Sequence, residues 1–146
     1  MPPRVLLASR LPDQPNATIR AAARLAEQIG GELMLVYVAV ELSTVSTLQG
    51  ATGEDPEALR ARMSSEIEAD ARAFLNEHVP DLDTGIWLVE GEVVEEITRI
   101  AAREKVDYLV IGTERRSKLK QVILGSTTQE ILRHAPCPVV VVPSRG

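Results

Sequence analysis

Tyr108-Leu109-Val110-Ile111-Gly112-Thr113 is followed, across a basic stretch, by Val122-Ile123-Leu124-Gly125-Ser126-Thr127. The first of these runs reads as a short strand covered on both faces, because its apolar residues are continuous rather than alternating. Gly112 closes the strand without a side chain, so backbone can approach a ligand closely there. Gly125-Ser126 then opens a helix whose first N–H groups have no partner within the helix and carry the positive end of its dipole. Those amides, with the hydroxyls of Ser126 and Thr127, form an anion site. Between the two runs lie Arg115, Arg116, Lys118 and Lys120. A charge cluster of this length is usually a solvated face. Its place beside a helix N-terminus is what points to a phosphate or another anion.

Four further apolar runs surround this segment: Val5 to Ala8, Leu33 to Val40, Ile86 to Val89, and Val139 to Val142. Helical periods separate them. From about Ala17 to Ile29, residues Ile19, Ala22, Ala23, Ala26 and Ile29 share a stripe that Gly30-Gly31 terminates. Asp55-Pro56-Glu57 has the cap, first-position proline and acidic first turn of a helix start, and Leu59, Met63, Ile67, Ala71 and Phe74 then recur at helical spacing. A third helix opens near Gly91 with Val93, Val94, Ile97, Ile100 and Ala101 inward, and Glu92, Glu95 and Glu96 at its positive end. The fourth must end by Ala135, ahead of Pro136. Strand–helix alternation at this spacing predicts a parallel sheet with helices on both faces, joined by right-handed crossovers. Leu42 to Gly53, rich in Ser, Thr and Gly, is the expected flexible stretch. Ligands in such sheets sit beyond the carboxyl ends of the strands, at the switch point.

The chain of 146 residues is read as a single domain, 1–146, of a size that buries roughly 68–70% of its unfolded surface. Lys+Arg 16 against Asp+Glu 21, a formal −5, argues against a dedicated nucleic-acid or anionic-membrane binder. Aromatic residues at 3% argue against stacking platforms for single strands. No stretch reaches the roughly 18 apolar residues of a membrane span, and the start lacks a secretory signal. The single Cys137 fits a reducing compartment, so the expected location is cytoplasmic.

The segment from Gly112 to Thr127, Gly91 with Glu95-Glu96-Ile97, and the ending Arg133-His134-Ala135-Pro136-Cys137-Pro138-Val139-Val140-Val141-Val142 together resemble the universal stress protein family over the whole chain. The resemblance implies a five-stranded parallel α/β sheet of order 3-2-1-4-5, adenine nucleotide alpha hydrolase-like. It also implies a site for ATP or another adenine nucleotide, written G-x-x-G, nine residues, G-[ST]. Gly112 matches the first glycine, and Gly125 and Ser126 the closing pair. Arg115 stands at the second glycine, and Arg10 stands where ATP-binding members carry an aspartate after the first strand; Asp13 is nearby, between Pro12 and Pro15. By resemblance the nucleotide-binding residues are Ala8, Ser9, Arg10, Val38 through its backbone, Gly112, Thr113, Arg115, Gly125, Ser126 and Thr127.

Two function readings follow. The first is a regulatory protein that binds an adenine nucleotide or other phosphate-bearing ligand, with Arg10 and Arg115 gripping phosphate in place of a Mg²⁺ ion. The second is a dimeric stress-response interaction module that has lost ATP binding because of those same two substitutions. No general base is identifiable, so at most slow ATP hydrolysis is expected and no catalytic residue is assigned. With only His78 and His134, no triad or metal cluster can be assembled. His134 reads as a helix-end cation, Cys137 as a small buried residue and Trp87 as packing. Val139, Val140, Val141 and Val142 are expected at a sheet edge, where the resemblance implies a homodimer interface.

Overall fold

Strand β1 (Arg4–Ser9) is the middle of the sheet. It pairs in parallel with β2 (Glu32–Val38) on one side and with β4 (Tyr108–Gly112) on the other. Outside these lie β3 (Gly85–Val89) against β2 and β5 (Val139–Val142) against β4, both parallel. The order is therefore 3-2-1-4-5, as expected. The computed structural model describes residues 2–9, 16–40, 42, 53–80, 84–113 and 124–143. Helices α1 (Asn16–Gln28), α2 (Pro56–His78), α3 (Val93–Arg103) and α4 (Ser126–His134) alternate with the strands.

Strand periodicity divides the core in two. Val5 and Leu7, with Leu33, Leu35 and Tyr37, face Ile19, Ala22, Ala23 and Ala26 of α1 and Ala71 and Leu75 of α2. Leu6, with Met34, Val36, Leu109 and Ile111, faces Ile97, Ile100 and Ala101 of α3 and Ile131 of α4. Burying one such aliphatic side chain contributes roughly 1.5–3 kcal/mol. Because neither face of β1 is open, its sequence shows no alternation. The half-buried Val93, Val94, Met63, Ile67 and Phe74 lie at the margins of these two layers. Trp87 packs at the edge of the second, with the Arg103 guanidinium 4.8 Å over its ring.

The amino end of the sheet is locked by Arg4. Its guanidinium donates to the Glu104 carbonyl at 2.9 Å and lies 3.7 Å from Glu32, while its amide donates to the Asp107 carboxylate at 2.8 Å. Asp107 N–H returns a bond to the Arg4 carbonyl. This exchange ties β1 to the turn before β4, so the two central strands cannot slide.

Local chemistry sets most boundaries. Gly30, at φ +66°, ends α1, and a Cβ on Gly31 would meet the Pro3 carbonyl oxygen at 2.6 Å, so this turn packs backbone on backbone. Asp55 caps α2 by accepting from the Ala58 amide, and Pro56 is its first residue. Glu92 caps α3, accepting from the Val94 and Glu95 amides, a more specific role than the dipole partner expected. Two expectations are corrected. The second strand stops at Val38, because the chain turns at Ala39, where Leu42 N–H bonds the Ala39 carbonyl, and Val40 is left exposed. Leu42, expected to begin a flexible stretch, is buried in the α1-side core; residues 43–52 lie outside the described residues.

Asp55→Ala should lower the free energy of unfolding by about 1 kcal/mol in urea denaturation, through loss of the α2 cap; an unchanged midpoint would contradict that role. Gly91 sits at φ +140°, and a Cβ there would lie 2.8 Å from Glu96 Cγ. Gly91→Ala should cost about 1–3 kcal/mol by the same measurement, whereas a neutral result would show that the turn into α3 does not need glycine.

Candidate functional site at the carboxyl ends of β1 and β4

The crossovers place α1 on one face of the sheet and α4 on the other, and β1 and β4 are neighbours. The helices that follow the two strands therefore cover opposite faces, the arrangement of a switch point, at which such sheets form a ligand crevice beyond the strands' carboxyl ends. Ala8, Ser9, Gly112, Gly125, Ser126 and Thr127 are brought to this end. Ala8 faces the α3–α4 layer, whereas Ser9, next along the strand, faces the α1 layer. Arg10, Asp13, Arg115, Arg116, Lys118 and Lys120 lie outside the described residues.

Helix α4 begins at Gly125, which supplies no side-chain cap, and its first turn carries no acidic residue. Ser126 and Thr127 are exposed, while Thr128 is buried. Gln129 Nε2 donates to the Leu124 carbonyl at 3.0 Å, and the Gln129 amide to the Gly125 carbonyl at 3.1 Å, fixing the approach to the first turn. Two other helix starts are acid-capped instead: α2 carries Asp55 and Glu57, and α3 carries Glu92, Glu95 and Glu96. Those positive ends are already answered by carboxylates, whereas among the described residues none caps that of α4. Among the described residues, Glu90 pairs with Arg60 and Glu92 caps α3.

Val38 is half-buried at the end of β2. Ala39 N–H donates to the Val89 carbonyl at 2.7 Å, toward β3. Alternation turns the Val38 carbonyl the other way, toward β1, which has ended at Ser9. That orientation suits a backbone contact with a base. Thr113 is buried, and its amide donates to the Val142 carbonyl at 3.1 Å, extending the β4–β5 ladder. Its neighbour Gly112 remains half-buried at the mouth.

Cys137 and His134 stand apart from this crevice. Burial pushes the Cys137 thiol above its ordinary range; a hydrogen bond involving the Leu109 backbone partly offsets this and Asp107 adds to it. A thiol held protonated is a poor nucleophile. His134 is in the last turn of α4, 3.4 Å from Glu130. Among the described residues no group of three or more His, Cys, Asp or Glu side chains could hold a metal ion. Also among them, no helix is long and apolar enough to cross a membrane. Thr18 was not singled out by sequence, although it continues the Ala22–Ala26 stripe back toward the mouth and is fully buried.

Comparison with known proteins agrees with this architecture. The Universal stress protein family profile matches residues 1–143. Universal stress protein MJ0531 of Methanocaldococcus jannaschii is 27% identical over 123 residues, covering 83% of this chain and 70% of that protein. A universal stress protein of Thermus aquaticus is 35% identical over 86 residues, a match spanning 59% of this chain and 61% of the relative. Among solved structures, the universal stress protein UspA from Lactobacillus plantarum superposes with a TM-score of 0.65 at 21% identity, covering 96% of this chain and 97% of that one. A universal stress protein in complex with cAMP gives 0.61 at 18% identity, covering 99% and 98%. One from Archaeoglobus fulgidus in complex with dAMP gives 0.60 at 17% identity, covering 97% of each. The sheet order and both helical layers are those of the adenine nucleotide alpha hydrolase-like fold, and the chain belongs to the universal stress protein family.

Proposed function

We propose that this protein is a regulatory nucleotide-binding domain that takes an adenine nucleotide in the crevice between β1 and β4. The observation that carries the reading is the start of α4: a glycine-capped, carboxylate-free helix end beside exposed Ser126 and Thr127. A phosphate there accepts from the first-turn amides and the two hydroxyls, in the favourable field of the helix dipole. The Val38 carbonyl, turned toward the end of β1, suits the exocyclic amine of adenine. Solved relatives with cAMP and dAMP support the same ligand class. Arg10 and Arg115 replace a carboxylate and a glycine of the family pattern, so this reading takes phosphate with guanidinium help and without a required Mg²⁺ ion. Regulation then works through ligand-dependent partner choice, in the cytoplasm, with no chemical step assigned.

Calorimetric titration with ATP, AMP and cAMP tests this. At least one should bind with a dissociation constant below the millimolar range, equally well with and without Mg²⁺. Ser126→Asp, which places a carboxylate on the open helix end, should weaken that binding by at least about tenfold, in keeping with charge repulsion of more than about 1.4 kcal/mol. If none of the three binds at millimolar concentration, the chain is instead the interaction module that Arg10 and Arg115 also suggest.

The same proposal includes a homodimer through β5. This strand is at the sheet edge, and all four valines are half-buried. Leu109 N–H donates to Pro138 and Thr113 N–H to Val142, so the even-numbered residues of β5 bond inward to β4. Val139 and Val141 consequently turn their backbone groups outward, toward an edge that a second copy can pair. Val141→Pro removes an outward N–H while sparing the β4–β5 ladder. Light scattering should show a dimer for the natural chain and a monomer for this variant; a dimer for both would rule out pairing through β5.

A further inference from the structure

Buried polar groups in folded proteins are almost always hydrogen-bonded. Among the described residues, three buried hydroxyls have no partner: Ser9 Oγ, Thr18 Oγ1 and Thr84 Oγ1. Thr84 stands alone before the amino end of β3. Ser9 and Thr18 both belong to the α1 layer, at the carboxyl end of β1. Ser9 is the last residue of β1, 6% exposed, and its side chain is on the α1 face, beside Tyr37 in the neighbouring strand. Thr18 is in the first turn of α1, 0% exposed, and belongs to the stripe with Ala22 and Ala26 that packs on β1 and β2. Because α1 runs back from the carboxyl end of β1, its first turn lies over the end of the strand that carries Ser9.

Among the described residues, the same turn carries no carboxylate, like that of α4 and unlike those of α2 and α3. A helix N-terminus alone is not a site. Here two buried, unpaired hydroxyls, one on the helix itself and one at the end of the strand it covers, belong to the same layer. We propose that the α1 side of the switch point holds a second oxyanion subsite of the phosphate class, with Ser9 Oγ and Thr18 Oγ1 donating to the anion alongside the first-turn amides of α1. Hydroxyl donors and N–H groups suit a tetrahedral oxyanion, and neutral donors avoid the cost of burying a lone cation. The subsite is on the face opposite α4, and its donors are distinct from Ser126 and Thr127. The anion has two possible sources, free phosphate and a phosphate group of a larger ligand seated in the crevice.

Amide chemical shifts of the full chain, titrated separately with inorganic phosphate and with ATP against a sodium chloride control, distinguish the sources. The amides of Ser9, Ala17, Thr18 and Ile19 should shift saturably with phosphate if the anion is free, or with ATP alone if it belongs to a nucleotide. Thr18→Val should weaken that response at least tenfold, Thr18→Ser should retain it, and Ser126 and Thr127 should respond as in the natural chain. Without added anion, Thr18→Val should melt no lower than the natural protein, because it removes an unpaired hydroxyl. At phosphate about 100 times the dissociation constant, only the natural chain and Thr18→Ser should gain roughly 5–10 °C. Unmoved α1 amides with both ligands would overturn the proposal. So would a Thr18→Val variant that responds normally, or one that melts lower without any anion, since the hydroxyl would then have a structural partner.

Discussion

The pairing of β1 with β4 is the constraint from which the rest of this structure follows. β1 is buried on both faces, so each neighbouring crossover has to carry its helix over the sheet to cover one of them. The chain leaves β1 toward one face and β4 toward the other. Two helix N-termini are thereby brought to the same end of adjacent strands from opposite sides. Arg4 holds this arrangement from the far end, through Glu104 and Asp107, where a slip of one residue would exchange the two core layers.

Helix starts within the fold divide along the same line. Those of α2 and α3 are closed by Asp55 and Glu92, whose carboxylates occupy the first-turn amides. Those of α1 and α4, which border the central crevice, have no carboxylate in the first turn. Capping stabilises a helix and simultaneously removes a place for a ligand anion. Among the described residues the carboxylate caps thus fall on α2 and α3, away from the helix starts at which the proposed ligand would sit. The overall charge of −5 does not conflict with this, because part of the acidic surplus is at the starts of α2 and α3, in Asp55, Glu57, Glu92 and Glu95.

The sheet was legible in the residues because burial on both faces leaves continuous apolar runs, as in Val5–Leu7 and Leu109–Ile111, and because Asp55-Pro56 and Gly30-Gly31 punctuate the helices. Val40 was misread as strand: apolar content alone cannot tell a residue in the sheet from one just past its end. Leu42 was misread as mobile because its polar neighbours hid a single anchoring contact with the core. At the site, Gly125-Ser126 marked the start of a helix, and α4 begins there; sequence does not show that the Thr113 amide continues the ladder to Val142. Thr18 was missed altogether. Its hydroxyl matters only because no partner meets it in the fold, and pairing of that kind is invisible before the elements are assembled.

A crystal structure determined with adenine nucleotide at saturating concentration tests the central claim most directly. Binding at the β1/β4 switch point predicts a phosphate group against the backbone amides of Ser126 and Thr127, with the base beside the Val38 carbonyl. A nucleotide seated elsewhere on the chain, or a crevice still empty at millimolar ligand, would contradict it.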